Sequence, residues 1–161
     1  MNFHILTLFP DMVMGGLGTS ITGRAMESKT ISVEAIDIRD YSKDKHRHVD
    51  DAPYGGGAGM VMQPGPVCEA YEALCGRIGR KPRLIYMTPQ GRVFNRNHSG
   101  GAGKGGGSGL SLRALRRNRR ACPGADCHGL SFPWEIYVLT RRGNFPAMVM
   151  IDCISVWCPG F

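Results

Sequence analysis

Apolar and polar positions along the first 95 residues change period several times, and each change marks an element. Residues 3–9 (FHILTLF) form a nearly continuous apolar run closed by Pro10, the pattern of a buried strand. Between Met12 and Lys29 the apolar residues are spaced as on a helix, with glycine interruptions, which predicts a broken helix. Residues 31–38 (ISVEAIDI) alternate apolar and polar, which predicts a strand with one buried face. Residues 40–62 are polar and glycine-rich and read as loop. Val67, Ala70, Tyr71, Leu74 and Ile78 then recur at helical spacing. Residues 82–87 (PRLIYM) predict a short strand running into a turn at 88–92 (TPQGR). Strand, helix, strand, helix, strand predicts an α/β fold, a mostly parallel sheet with helices on both faces.

The texture changes near residue 96. Residues 99–109 (SGGAGKGGGSG) have linker composition, and 110–129 show neither a strand nor a helix period. Regular patterning returns at 136–139 (IYVL) and at 146–155 (PAMVMIDCIS), a helix with Pro146 in its first turn. The expected organisation is an intact N-terminal part over 1–95, a glycine- and arginine-rich, disordered segment over 96–135, and a partial remainder over 136–161.

Composition changes this picture in two ways. Glycine, at 23 of 161 residues, is about twice its usual share. The net charge of +7 suggests a polyanionic partner. Its distribution weakens that inference: residues 1–95 hold eleven Lys/Arg against ten Asp/Glu, whereas 96–128 hold seven against one. No apolar run approaches the roughly 20 residues that span a bilayer. The N-terminus lacks the basic region of a signal peptide. A cytoplasmic protein is expected, with no membrane partner and its six cysteines as free thiols.

Three signals in the irregular segment are weak. Residues 101–105 (GAGKG) are no phosphate loop: His98 stands where the first glycine is needed and Gly105 where Ser or Thr is needed. Cys122, Cys127 and His128 lack the second ligand pair of a zinc site, so no metal is expected. The run RALRRNRR (113–120) could neutralise phosphates, but it carries no aromatic for base stacking, and its composition favours a solvated or disordered charged segment.

Two upstream signals are sharper. Residues 46–60 (HRHVDDAPYGGGAGM) gather His46, Arg47 and His48 before four glycines, whose backbone admits close approach and can hold an anion. The alternative reading is a flexible surface loop. The TPQGR segment follows a predicted strand, at the end where open α/β sheets bind ligands; the alternative there is an ordinary turn.

Taken together with residues 6–11 (LTLFPD), 22–25 (TGRA), 38–40 (IRD) and 146–152 (PAMVMID), these segments resemble the bacterial tRNA (guanine-N1)-methyltransferases of the SPOUT class. The resemblance is nearly continuous over 1–95 and returns over about 136–161. It implies a sheet with a trefoil knot in its later part, a rare exception to unknotted chains. It implies that S-adenosylmethionine binds in the knot of a homodimer and that the substrate is the guanine 3′ to the tRNA anticodon. The matching donor-binding positions are Tyr86, Thr88, Pro89, Gln90 and Gly91, then Tyr137 and Leu139, then Pro146. The matching tRNA contacts are His46, Arg47, Tyr54, Gly55, Gly56, Gly57 and Gly59.

The pattern departs between 96 and 135, where the family's Gly-Ile-Asp-Glu-Arg segment is expected. Residues 116–129 can be back-translated so that a frame one base later reads Gly-Gly-Ile-Asp-Glu-Arg, and similar shifts recover three further family segments in order. Single-base shifts in the gene after about residue 95 are therefore expected, with a damaged knot region; coding DNA unable to yield that segment in another frame rules this out. The family's assisting arginine matches Val156, and its aspartate base and its C-terminal tRNA-binding domain fall beyond Phe161. The expectation is that polypeptide 1–161 transfers no methyl group. Two other readings stay open: a basic RNA-binding module without catalysis, and a different SPOUT-class RNA methyltransferase.

Overall fold

Strand β1 (Asn2–Thr7) and strand β2 (Ser32–Asp37) pair in parallel, in unbroken register from Asn2 opposite Ser32 to Thr7 opposite Asp37. The structure is a computed structural model and describes residues 1–56, 59–82, 84–93, 127–131 and 151. The crossover between the two strands carries helices α1 (Pro10–Leu17) and α2 (Ser20–Glu27). Pro10 starts α1 because a first-turn residue needs no N–H partner. The single broken helix expected over this stretch is thus two helices, parted at Gly18 and Thr19. The Thr22 hydroxyl reaches back to the carbonyls of Leu17 (2.8 Å), the last residue of α1, and of Thr19 (3.0 Å), fixing the corner.

A short 3-10 helix (Ile38–Tyr41) follows β2, nucleated where the Asp37 carboxylate accepts from the Arg39 N–H at 2.9 Å. Strands β3 (Asp50–Asp51) and β4 (Val61–Met62) form an antiparallel stem inside the segment expected to be loop. Helix α3 (Pro64–Ile78) matches the periodic prediction and ends at Gly79, whose φ of 68° is the left-handed cap glycine supplies.

Strand β5 (Leu84–Val93) pairs in parallel with β6 (Cys127–Ser131). Residues 88–92 were expected as a turn but lie within β5. Residues 127–131 were expected as irregular but form β6, because pairing with β5 supplies order that the local sequence (CHGLS) does not. Of the expected C-terminal helix, Ile151 is helical and fully buried; the rest of 132–161 lies outside the described residues.

One core holds these parts together. Leu6 of β1 and Ile36 of β2 pack with Val67, Ala70, Tyr71 and Leu74 of α3, with Val49 and Met62 of the stem, and with Leu84 of β5. His4 lies on the same face of β1, where Glu34 bridges it (2.9 Å) to Arg77 of α3 (2.6 Å). Phe3 and Ile5 point the other way by strand alternation and are also fully buried, so both faces of the β1–β2 pair are covered. Tyr71 ties α3 to the approach of β5 by donating its hydroxyl to the Pro82 carbonyl at 3.0 Å. Among the described residues no helix is long and apolar enough to cross a membrane.

Candidate functional site

The glycine motif is carried on a short, anchored stem. Asp50 stands opposite Met62 and Asp51 opposite Val61, and the Gln63 N–H closes the base on the Val49 carbonyl at 2.7 Å. Val49 and Met62 are buried in the core, so the stem is fixed although its ladder is two residues long. At the tip the Gly56 N–H returns to the Pro53 carbonyl at 3.1 Å. Gly55, the third residue of that turn, has φ 85°, as a type II turn requires; a Cβ there is strained. Tyr54, the second residue, is held wholly in solvent. An exposed ring beside accessible main chain is suited to stacking on a base. Gly59 also lies in the left-handed region, and Gly57 falls outside the described residues.

The basic half of the motif is organised by a residue the sequence reading did not single out. One carboxylate oxygen of Asp44 accepts from the N–H of His46 (3.1 Å), from the N–H of His48 (3.2 Å) and from Nδ1 of His48 (2.6 Å). The Asp44 carbonyl accepts from the Arg47 N–H at 3.0 Å. Arg47 is thereby held at φ 55°, a conformation non-glycine residues seldom adopt. Its guanidinium is mostly exposed and lies 3.3 Å from Asp40. The His46 and His48 rings lie 5.7 Å apart. An Asx turn, in which an aspartate side chain binds main-chain N–H groups two residues on, was the signal available in the sequence.

The hydrogen bonds from His48, main chain first and then ring, hold the Asp44 carboxyl below the ordinary aspartate value. A lowered folded-state value means the bracket stabilises the loop above the unfolded aspartate value and is lost as pH falls through the folded one. The amide resonances of His46 and His48 should therefore titrate together, at a pH below that of a free aspartate. Titration at or above the free value contradicts the bracket.

Arg39 is a second residue without an assigned role in the sequence reading. It donates to the Leu8 carbonyl and lies 3.7 Å from the Asp37 carboxylate, with its guanidinium 5.7 Å from the centre of the Phe9 ring. It joins the C-terminal ends of β1 and β2, the edge at which open parallel sheets bind ligands.

The TPQGR segment shows itself in register. Met87 and Arg92 of β5 both stand opposite Leu130 of β6, so Thr88, Pro89, Gln90 and Gly91 are four residues without a counterpart. Pro89 has no N–H for a ladder, consistent with a break at this point. The side chains of Tyr86 and of 88–91 lie outside the described residues, as do Tyr137, Leu139, Pro146, Val156 and Phe161. Leu84, at the start of β5, shares the core with Val49 and Met62, so the glycine loop and this strand are anchored on common packing. Cys127 and His128 lie on β6 opposite Leu84 and Ile85.

Comparison with known proteins agrees with this fold. The family described as tRNA (Guanine-1)-methyltransferase TrmD matches residues 1–102. A tRNA (guanine-N(1)-)-methyltransferase of Lachnospira eligens is 50% identical over 168 aligned residues, covering 99% of this chain and 67% of the relative. That of Ruminiclostridium cellulolyticum is 41% identical with 99% and 68% covered. One from Bacillus cereus is 49% identical over 94 residues, 58% of this chain and 38% of the relative. The crystal structure of tRNA (m1G37) methyltransferase from Aquifex aeolicus superposes with a TM-score of 0.83 at 27% identity, covering 99% of this chain and 71% of that one. The chain spans about two thirds of the length of the relatives it matches throughout. It belongs to the tRNA (guanine-1)-methyltransferase family, enzymes of SPOUT fold that methylate tRNA.

Proposed function

We propose that the chain is the donor- and tRNA-binding part of an enzyme that transfers methyl from S-adenosylmethionine to N1 of the guanine 3′ to the tRNA anticodon, as a cytoplasmic homodimer. Within that reading, Tyr86, Thr88, Pro89, Gln90 and Gly91 hold the donor together with Tyr137, Leu139 and Pro146. His46, Arg47, Tyr54 and the glycines Gly55, Gly56, Gly57 and Gly59 meet tRNA. The observation that carries the proposal is the break in β5. Four residues leave the register in the C-terminal half of a parallel strand, where ligands bind in such sheets.

That break fits the donor's needs. The main-chain groups of Thr88, Gln90 and Gly91 are released from regular pairing with β6 and can serve a bound molecule instead. When bound, S-adenosylmethionine supplies the electrophilic methyl group. The chain's own part, among the described residues, is to bind and orient: the glycine loop offers main chain and the Tyr54 ring, and Arg47 offers charge to phosphate.

Two titrations test this. S-adenosylmethionine should bind by calorimetry and slow hydrogen exchange at residues 86–91, and tRNA should bind in a gel-shift assay. Absence of both overturns the proposal. Binding of tRNA without the donor favours a non-catalytic RNA-binding module. Methylation of a different nucleotide in a tRNA library favours another enzyme of the knotted class. With Val156 in place of the family's arginine, purified 1–161 is expected to bind without transferring; N1-methylguanine in the product overturns that expectation and leaves the family reading standing.

A further inference from the structure

We infer that Asp44 is a positioning residue for tRNA, acting through Arg47. The inference rests on the proposed role of the 46–60 loop. Three successive residues, His46, Arg47 and His48, are each tied to Asp44, two through its side chain and one through its carbonyl. Ser42 adds a second closure, its hydroxyl donating to the His48 carbonyl and accepting from the Asp44 N–H at 3.3 Å. The result is a small ring of hydrogen bonds outside any regular element, with Arg47 at its apex in the left-handed region. A lone arginine at an exposed position does not choose that backbone; the ring imposes it.

The ring aims the guanidinium. Arg47 leaves the chain toward Asp40, a largely exposed partner at 3.3 Å. Such a pair is weak and can exchange for a phosphate, which offers better acceptors to a guanidinium. Asp44 also sets the His48 ring. An ionised carboxylate only accepts, so Nδ1 carries the proton and Nε2 is turned away from Asp44. None of these contacts touches the core. The loop's order is therefore local and separable from folding.

Charge alone and positioning predict opposite signs. Removing a negative charge beside an RNA-binding loop should tighten binding to a polyanion. Removing the carboxylate that brackets Arg47 through the N–H groups of His46 and His48 should weaken it. Asp44→Asn separates the two, because its amide oxygen still accepts from main-chain N–H groups while the charge is gone.

The test uses the 161-residue chain, unmodified tRNA and equilibrium binding at several salt concentrations, with melting temperature as a check on folding. Asp44→Ala should weaken tRNA binding by about 5- to 10-fold, reduce the salt slope by up to about 1, and leave the melting temperature within about 2 °C. Asp44→Asn should bind at least as tightly as the parent. Arg47→Ala should match Asp44→Ala, and the double variant should be no weaker than either alone. Tighter binding by Asp44→Ala, additive losses in the double variant, or equal losses in Asp44→Asn and Asp44→Ala each overturn the positioning role. If Arg47→Ala binds as the parent does, the reading of the loop as an RNA contact fails instead, and the positioning role with it.

Discussion

Gly23→Ala is expected to destabilise the fold by about 3 kcal/mol, although alanine is the better helix former. Gly23 lies inside α2, where alanine would ordinarily gain up to about 1 kcal/mol. A Cβ at this position would stand 2.4 Å from the Gly18 carbonyl oxygen and 2.8 Å from its carbon. Both are main-chain atoms, so no side chain can swing away; α1 and α2 must part. Parting them breaks the Thr22 bond to the Leu17 carbonyl that holds the corner. Gly15 is the control of opposite sign: it lies in α1, exposed, with nothing within 4 Å of a built Cβ. Gly15→Ala should therefore stabilise by up to about 1 kcal/mol. Urea unfolding midpoints of the two variants should move in opposite directions. A neutral Gly23→Ala contradicts the close approach at the corner.

Leu6→Ala is expected to cost about 3 kcal/mol and to weaken tRNA binding with it. Leu6 is fully buried in the core that joins the β1–β2 pair to α3, to the hairpin stem and to Leu84 of β5. The stem has only two ladder positions, so its placement depends on Val49 and Met62 packing there. A cavity at Leu6 loosens the support of the glycine loop and of β5 together. Ile21→Ala, about half exposed on α2, should stay within about 0.5 kcal/mol and leave binding unchanged. Thermal melts and tRNA gel shifts on both variants check this. A Leu6→Ala chain as stable as the parent contradicts the shared core.

The sequence showed what depends on long periodic runs. The apolar run of β1, the alternation of β2 and the five spaced apolar residues of α3 each fill enough positions for a period to be counted. The stem of β3 and β4 and the helical turn at Ile38–Tyr41 are two to four residues long, too short for any period. They exist because Val49, Met62 and Ile38 reach the core and Asp37 caps the turn. Strand β6 was hidden for a different reason. Cys127–Ser131 contains Gly129 and no β-branched residue, and its order comes from pairing with β5. The TPQGR segment carried turn residues, and their effect appears as four residues out of register within a strand.

The site was legible in type more than in arrangement. Glycines after Tyr54 pointed to a loop with positive φ, and Gly55, Gly56 and Gly59 have it. What the spacing did not convey was the ring of bonds about Asp44, because a carboxylate that organises three neighbours looks in sequence like one more charge in a charged run. The run RALRRNRR, which supplies much of the net positive charge, is the competing candidate for contact with tRNA.

Hydrogen exchange measured with and without tRNA decides between them most directly. The account predicts slowed exchange at residues 46–60 and unchanged exchange at 113–120. Protection confined to 113–120, with residues 46–60 exchanging as in the free chain, would contradict it.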